Sequence, residues 1–130
     1  MFARADLSCK ISGMKVLVVD DDAALRTLLT FWLKTDGYYV VTAGDAYGAV
    51  QAARTERPDV ILLDITMPAG HGFSAHERLQ KMSTTAGVPV IFMSADVKAG
   101  PRALAAGAVG FLPKPLTKDA VIDALKAARL

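Results

Sequence analysis

The sequence predicts one α/β domain in which a strand and a helix alternate five times around a parallel sheet. Three observations carry this. Short runs of branched apolar residues, Val16-Leu17-Val18-Val19 and Val60-Ile61-Leu62-Leu63 above all, have no polar interruption, as strands buried on both faces require. The segments between such runs place apolar residues at helical spacing. The connections are short, and strand–helix alternation with short connections demands parallel strands, right-handed crossovers and helices on both faces. The pattern leaves the order of the strands open.

Residues 1–13 carry no periodicity and end in Ser12-Gly13, so they read as a mobile N-terminal extension; the domain is expected over 14–130. The first strand, residues 16–19, runs into three acids, Asp20, Asp21 and Asp22. Leu25, Leu28, Leu29 and Trp32 then fall at i, i+3, i+4 and i+7, a helix whose stripe faces the core; Asp22 or Asp21 is placed to cap it and Gly37 to end it. Residues 39–42 form the second strand. Ala46, Ala49, Val50 and Ala53 give a second helix with a small-residue stripe that permits close packing. Residues 59–63 form the third strand, followed by Asp64 and, within a few residues, Pro68, which stops the ladder. A third helix is expected from about Phe73 to Met82, a fourth strand from Val88 to Met93 and, after Gly100-Pro101, a short fourth helix with Pro101 in its first turn. A weak fifth strand, 108–112, stops at Pro113-Lys114-Pro115, and Thr117 caps a last helix carrying Val121, Leu125 and Ala128.

At 130 residues the chain is long enough for one full core and too short for two ordinary domains. Its 52% hydrophobic and 22% charged residues fit a globular fold rather than disorder. A net charge of +2 gives no basis for electrostatic capture of nucleic acid or anionic membrane. A single cysteine, Cys9, excludes an internal disulfide and a CxxC metal knuckle. No secretory signal or membrane-length apolar run is visible, so a cytoplasmic location is expected.

The polar residues fall at strand ends. Asp20 and Asp21 follow the first strand, Asp64 the third, Ser94 the fourth and Lys114 the fifth. In a parallel sheet these ends share one edge, and the crevice beyond that edge is where open α/β sheets bind ligands. Two carboxylates about 5 Å apart repel by roughly 3 kcal/mol at an effective dielectric of 20. A cluster of three therefore calls for a cation, either Lys114 or a divalent metal. Carboxylates with carbonyl and water ligands suit Mg²⁺. A carboxylate beside such an ion can act as nucleophile toward a phosphoryl group, giving an aspartyl phosphate. Lys114 would pair with one phosphoryl oxygen and the Ser94 hydroxyl would donate to another.

Asp20-Asp21 after Val-Leu-Val-Val, Asp64 in Leu-Leu-Asp-Ile-Thr-Met-Pro, Ser94-Ala95 and Gly110-Phe111-Leu112-Pro113-Lys114-Pro115 together resemble a response-regulator receiver domain, over residues 15–130. The resemblance implies a flavodoxin-like three-layer sandwich with strand order 2-1-3-4-5. It implies that Asp64 is the phospho-accepting aspartate and Asp21 a direct Mg²⁺ ligand. Asp20 would act mostly through water, and Thr66 would offer its backbone carbonyl to the metal. Ser94 matches the switch hydroxyl, Phe111 the switch aromatic and Lys114 the phosphate-binding lysine, with a cis bond into Pro115. The implied partners are a sensor histidine kinase or a histidine phosphotransfer protein, and a downstream protein or second copy docking on the face made by the fourth helix, fifth strand and fifth helix. The expected chemistry is confined to the domain's own phosphorylation and dephosphorylation, with no enzymatic turnover of other substrates.

This sequence departs from the family's pattern in four places. His71 stands where an acid is usual and is expected to be a solvated loop side chain. Ser94 replaces threonine and keeps the hydroxyl. Phe111 replaces the frequent tyrosine and lacks the phenol. Gly100-Pro101 should delay and shorten the fourth helix, on the face that signals. His76 and Glu77 do not form an HExxH pair and are expected at the surface. Other readings are weaker. A phosphorylation-independent binding module would not need the full set Asp21, Asp64, Ser94 and Lys114. A phosphatase would want an acid where Thr66 stands. A nucleotide-binding domain would need a glycine-rich phosphate loop. No helix-turn-helix or basic stripe supports DNA binding.

Overall fold

The computed structural model describes residues 13–66 and 72–129. Residues 1–12 of the extension expected over 1–13, the loop over 67–71, His71 included, and Leu130 lie outside the described residues. Five strands alternate with five helices: β1 (Lys15–Val19), α1 (Ala23–Thr35), β2 (Tyr39–Ala43), α2 (Ala46–Glu56), β3 (Val60–Asp64), α3 (Gly72–Lys81), β4 (Val90–Ser94), α4 (Gly100–Ala105), β5 (Gly110–Pro113) and α5 (Lys118–Arg129). All strands pair in parallel, in the order β2-β1-β3-β4-β5. This is the flavodoxin-like order, which places the chain reversal between β1 and β3. No described helix is long and apolar enough to cross a membrane.

Alternate residues of the central strands feed two cores. Leu17, Val19, Ile61, Leu63 and Phe92 pack under α2, α3 and α4, against Val50, Ala53, Leu79 and Ala103. Val16, Val18, Leu62, Ile91 and Met93 pack under α1 and α5, against Leu29, Leu33, Val121 and Leu125. β3 and β4 are buried along their whole length, which is why their sequences run apolar without alternation.

Helix ends follow the capping residues. Asp22 Oδ1 accepts the N–H groups of Ala24 and Leu25 at 2.9 and 3.4 Å, so Asp22 caps α1. The Thr117 hydroxyl accepts the Ala120 N–H at 3.2 Å at the start of α5. A 3-10 turn, Val97–Ala99, precedes α4, which has six residues and Pro101 in its first turn.

The structure corrects four expectations. β4 starts at Val90 rather than Val88, after Pro89, which has no N–H to give the ladder. β5 starts at Gly110 rather than Ala108, because the Ala108 N–H bonds the Ala103 carbonyl and still closes α4. On α1 the buried positions are Leu29 and Leu33, and Leu28 is 42% exposed. Leu25 and Trp32 pack against the same core as expected, so of the predicted stripe only Leu28 turns outward. His76 is not a surface group. It is 2% exposed, its ring meets Phe92 edge-on at 5.1 Å, and its Nε2 lies 3.0 Å from Gln80 Nε2. With the Gln80 amide nitrogen as donor the ring nitrogen accepts, the arrangement of a neutral imidazole, which burial also favours. Glu77, one residue on, is exposed as expected.

Two predictions follow from this packing. Leu29→Ala should lower unfolding free energy by about 2–5 kcal/mol, and Leu28→Ala by less than about 1 kcal/mol, as read by urea denaturation. Burial holds His76 below its ordinary value of 6.5. Stability from the neutral ring is then complete above that unfolded value and is lost as pH falls below it toward the lower folded value. His76→Leu should remove this slope, so that the stability difference between variant and wild type changes between pH 7 and pH 5. Parallel profiles across that range would contradict the assignment.

Candidate functional site

The register of the sheet brings the site together. Val19 of β1 pairs with Leu63 of β3, which puts Asp20 level with Asp64. Asp64 pairs with Met93 and Ser94 with Pro113, so Ser94 and Lys114 leave the same edge. The Lys114 N–H donates to the Ser94 carbonyl at 2.8 Å. Asp20, Asp64 and Ser94 are 0%, 1% and 0% exposed, an unusual depth for two acids.

Carboxylate oxygens of Asp20, Asp21 and Asp64 lie within 4.8 Å of one another; Asp21 alone is exposed. At that spacing each pair repels by about 3 kcal/mol at an effective dielectric of 20. The Lys114 ammonium offsets this from one side, 2.8 Å from Asp20 Oδ2 and 3.5 Å from Asp64 Oδ2. Burial alone would lower the lysine's pKa, but the hydrogen bond and charge of Asp20, followed by those of Asp64, outweigh it and the net shift is upward. Asp20 is pushed up as well, first by burial; the Lys114 bond and the Asp22 N–H oppose this, and the Asp64 charge adds to it. The two shifts are compatible: Lys114 faces two acids, whereas Asp20 is fully desolvated and shares its cation with a second carboxylate.

The remaining bonds hold the acids in place. Asp20 Oδ1 accepts the Asp22 N–H at 2.9 Å. Asp64 Oδ1 accepts both the backbone N–H and the hydroxyl of Thr66, at 2.9 and 2.8 Å. Arg26 Nη1 donates to the Asp20 backbone carbonyl at 2.7 Å. The reading of the sequence passed over Arg26 and the Thr66 hydroxyl. Both were visible only as types: a basic residue one position from a helix stripe, and a hydroxyl two residues after an acid, a local geometry that favours such a bond.

Beside the acids lies a cavity of about 600 Å³, lined among others by Thr66, Ser94, Phe73, Asp96 and Arg102. The Ser94 hydroxyl accepts the Asp96 N–H at 2.9 Å. Phe111 is half-buried against the α2–α4 core, and a Cβ at Gly100 would lie 3.4 Å from its ring, so the ring rests on the start of α4. The structure thus joins Asp20, Asp21, Asp64 and Lys114 directly, sets Ser94 and Thr66 around the adjoining cavity, and keeps Phe111 one layer out. The Lys114–Pro115 bond is cis. A donor set of three carboxylates, two of them buried and sharing one ammonium, fits a hard oxygen-seeking cation such as Mg²⁺.

The profile of the response regulator receiver domain matches residues 16–126. PilH of Pseudomonas aeruginosa is 34% identical over 118 residues, covering 87% of this chain and 95% of PilH. The probable transcriptional regulatory protein TcrX of Mycobacterium tuberculosis is 35% identical over 114 residues, covering 86% of this chain and 48% of TcrX. The chain therefore spans about half the length of TcrX, and less than half of several other relatives. A solved receiver domain, that of the sensor histidine kinase PA1611 from Pseudomonas aeruginosa with a magnesium ion in its active site cleft, superposes with a TM-score of 0.82 at 28% identity, covering 91% of this chain and 99% of that one. From the first strand to the last helix, this chain belongs to the response regulator receiver domain family.

Proposed function

We propose that Asp64 accepts a phosphoryl group from the phosphohistidine of a sensor histidine kinase or a histidine phosphotransfer protein. The observation that supports this best is the Lys114 ammonium spanning Asp20 and Asp64 inside a cluster of three carboxylates. An Asp64 oxygen forms the bond to phosphorus while the phosphorus–nitrogen bond of the donor breaks, and the electron pair leaves on the imidazole. Asp20, Asp21, Asp64 and the Thr66 carbonyl would hold Mg²⁺, as the magnesium in the PA1611 receiver suggests. Bound there, the ion supplies positive charge that shields the incoming phosphoryl oxygens from the carboxylates.

The chain's own groups do the rest. Lys114 exchanges its bond to Asp20 for one to a phosphoryl oxygen, since the phosphoryl group brings about two negative charges and three acceptor oxygens to the site. Ser94 releases the Asp96 N–H and donates its hydroxyl to the same group. Phe111 follows into the space opened beside Ser94. The face of α4, β5 and α5 then changes its affinity for a downstream protein or a second copy of the chain, a two-state element biased by local charge. We place this domain, residues 14–130 with 1–13 as an extension, in a cytoplasmic setting, with no chemistry beyond its own phosphorylation and dephosphorylation.

Wild-type protein incubated with Mg²⁺ and a small phosphoramidate or acyl phosphate should gain the mass of one phosphoryl group. Asp64→Asn should gain none, and EDTA should abolish labelling of the wild type. Equal labelling of wild type and Asp64→Asn would remove Asp64 from the reaction. A wild type that stays unlabelled while still binding a protein partner would instead support a phosphorylation-independent module.

A further inference from the structure

We infer that Arg26 is a positioning residue of the acidic cluster, fixing the end of β1 so that Asp20 and Asp21 stay aimed at Asp64. The inference rests on the assignment of that cluster to Mg²⁺ and phosphoryl binding. Asp20 is held on every polar atom. Its N–H donates to the Ala43 carbonyl at 3.1 Å, Oδ1 takes the Asp22 N–H, and Oδ2 takes Lys114. The partner of its carbonyl is Arg26 Nη1, at 2.7 Å, the length of a charge-assisted bond. In a strand the N–H and C=O of one residue point to the same neighbour, so the Asp20 carbonyl faces the β2 side. There the ladder has ended, because β2 stops at Ala43 and the chain turns away at Gly44. The guanidinium occupies the place of the missing ladder partner.

Gly44 makes room for it. A Cβ at residue 44 would sit 3.2 Å from Arg26 Nη1, closer than ordinary packing allows. The seat is therefore built by three elements: the second turn of α1, the end of β1 and the turn after β2. A turn about ψ of Asp20 would carry Asp21 and its carboxylate away from Asp64, and the Arg26 bond to the Asp20 carbonyl resists it. Arginine suits the task because its guanidinium stays charged beside acids and presents its donors in a rigid fork.

The experiment is a Mg²⁺ titration of ¹⁵N-labelled protein, following the amide resonances of Asp21 and Asp22, with melting curves for every variant. Arg26→Met should weaken Mg²⁺ binding by about 5- to 30-fold, a part of what one charge-assisted bond is worth, because the bond exists with and without the ion. Arg26→Lys should fall between Met and wild type. Gly44→Ala, which leaves Arg26 in place but crowds its guanidinium, should weaken binding in the same direction. In phosphoramidate labelling, Arg26→Met should raise the half-saturating Mg²⁺ concentration more than it lowers the rate at saturation. A wild type that saturates while Arg26→Met and Gly44→Ala keep its midpoint overturns this inference alone. A wild type that never saturates overturns the metal assignment and this inference with it. If Arg26→Met does not fold, Gly44→Ala decides.

Discussion

Lys114 holds two buried acids together, and the rest of the site depends on it. Asp20 and Asp64 lie almost entirely out of water, with a third carboxylate within 4.8 Å. Such a group of like charges is unstable unless a cation faces it. Lys114 comes from the far side of the fold, 94 residues along from Asp20, yet ends 2.8 Å from its carboxylate. The parallel sheet makes this possible, since the strand carrying the acids and the strand before the lysine end at one edge. A site stabilised by one exchangeable cation is also poised for exchange: a second cation or an incoming phosphoryl group offers each partner an alternative to the one it has.

Most of the fold was legible because buried parallel strands leave a distinctive trace. β1, β3 and β4 read as unbroken apolar runs since both faces are covered, and the helices between them announce themselves by spacing and by caps such as Asp22 and Thr117. The strand order was not legible from the pattern, because alternation fixes that strands are parallel and says nothing of which lie side by side. It came with the family resemblance, as did the cis bond at Lys114–Pro115.

Where the reading of the sequence missed, a tertiary contact had overruled a local rule. Leu28 and Leu29 are equally apolar, but the direction of α1 across the sheet buries Leu29 and Leu33 and turns Leu28 outward. His76 looks like a surface residue of a polar helix, yet α3 lays it against Phe92, and Gln80 one turn on supplies the hydrogen bond that makes burial tolerable. β5 begins late because the end of α4 uses the Ala108 N–H before the sheet can. In the site itself, the acids, the hydroxyl and the lysine could be named from strand ends. The bonds from Thr66 to Asp64 and from Arg26 to the Asp20 carbonyl did not follow, because strand ends show which residues gather at the edge and not which of their donors and acceptors pair.

The central claim is that the cation shared by Asp20 and Asp64 is a resting arrangement, which a phosphoryl group on Asp64 replaces. A crystal structure with Mg²⁺ and beryllofluoride tests it most directly. The account predicts the fluoride complex on an Asp64 oxygen, Lys114 Nζ within hydrogen-bond distance of a fluorine, and the Ser94 hydroxyl turned from the Asp96 amide to the complex. Beryllofluoride bound elsewhere, or Lys114 and Ser94 still on Asp20 and Asp96 with Asp64 occupied, would contradict it.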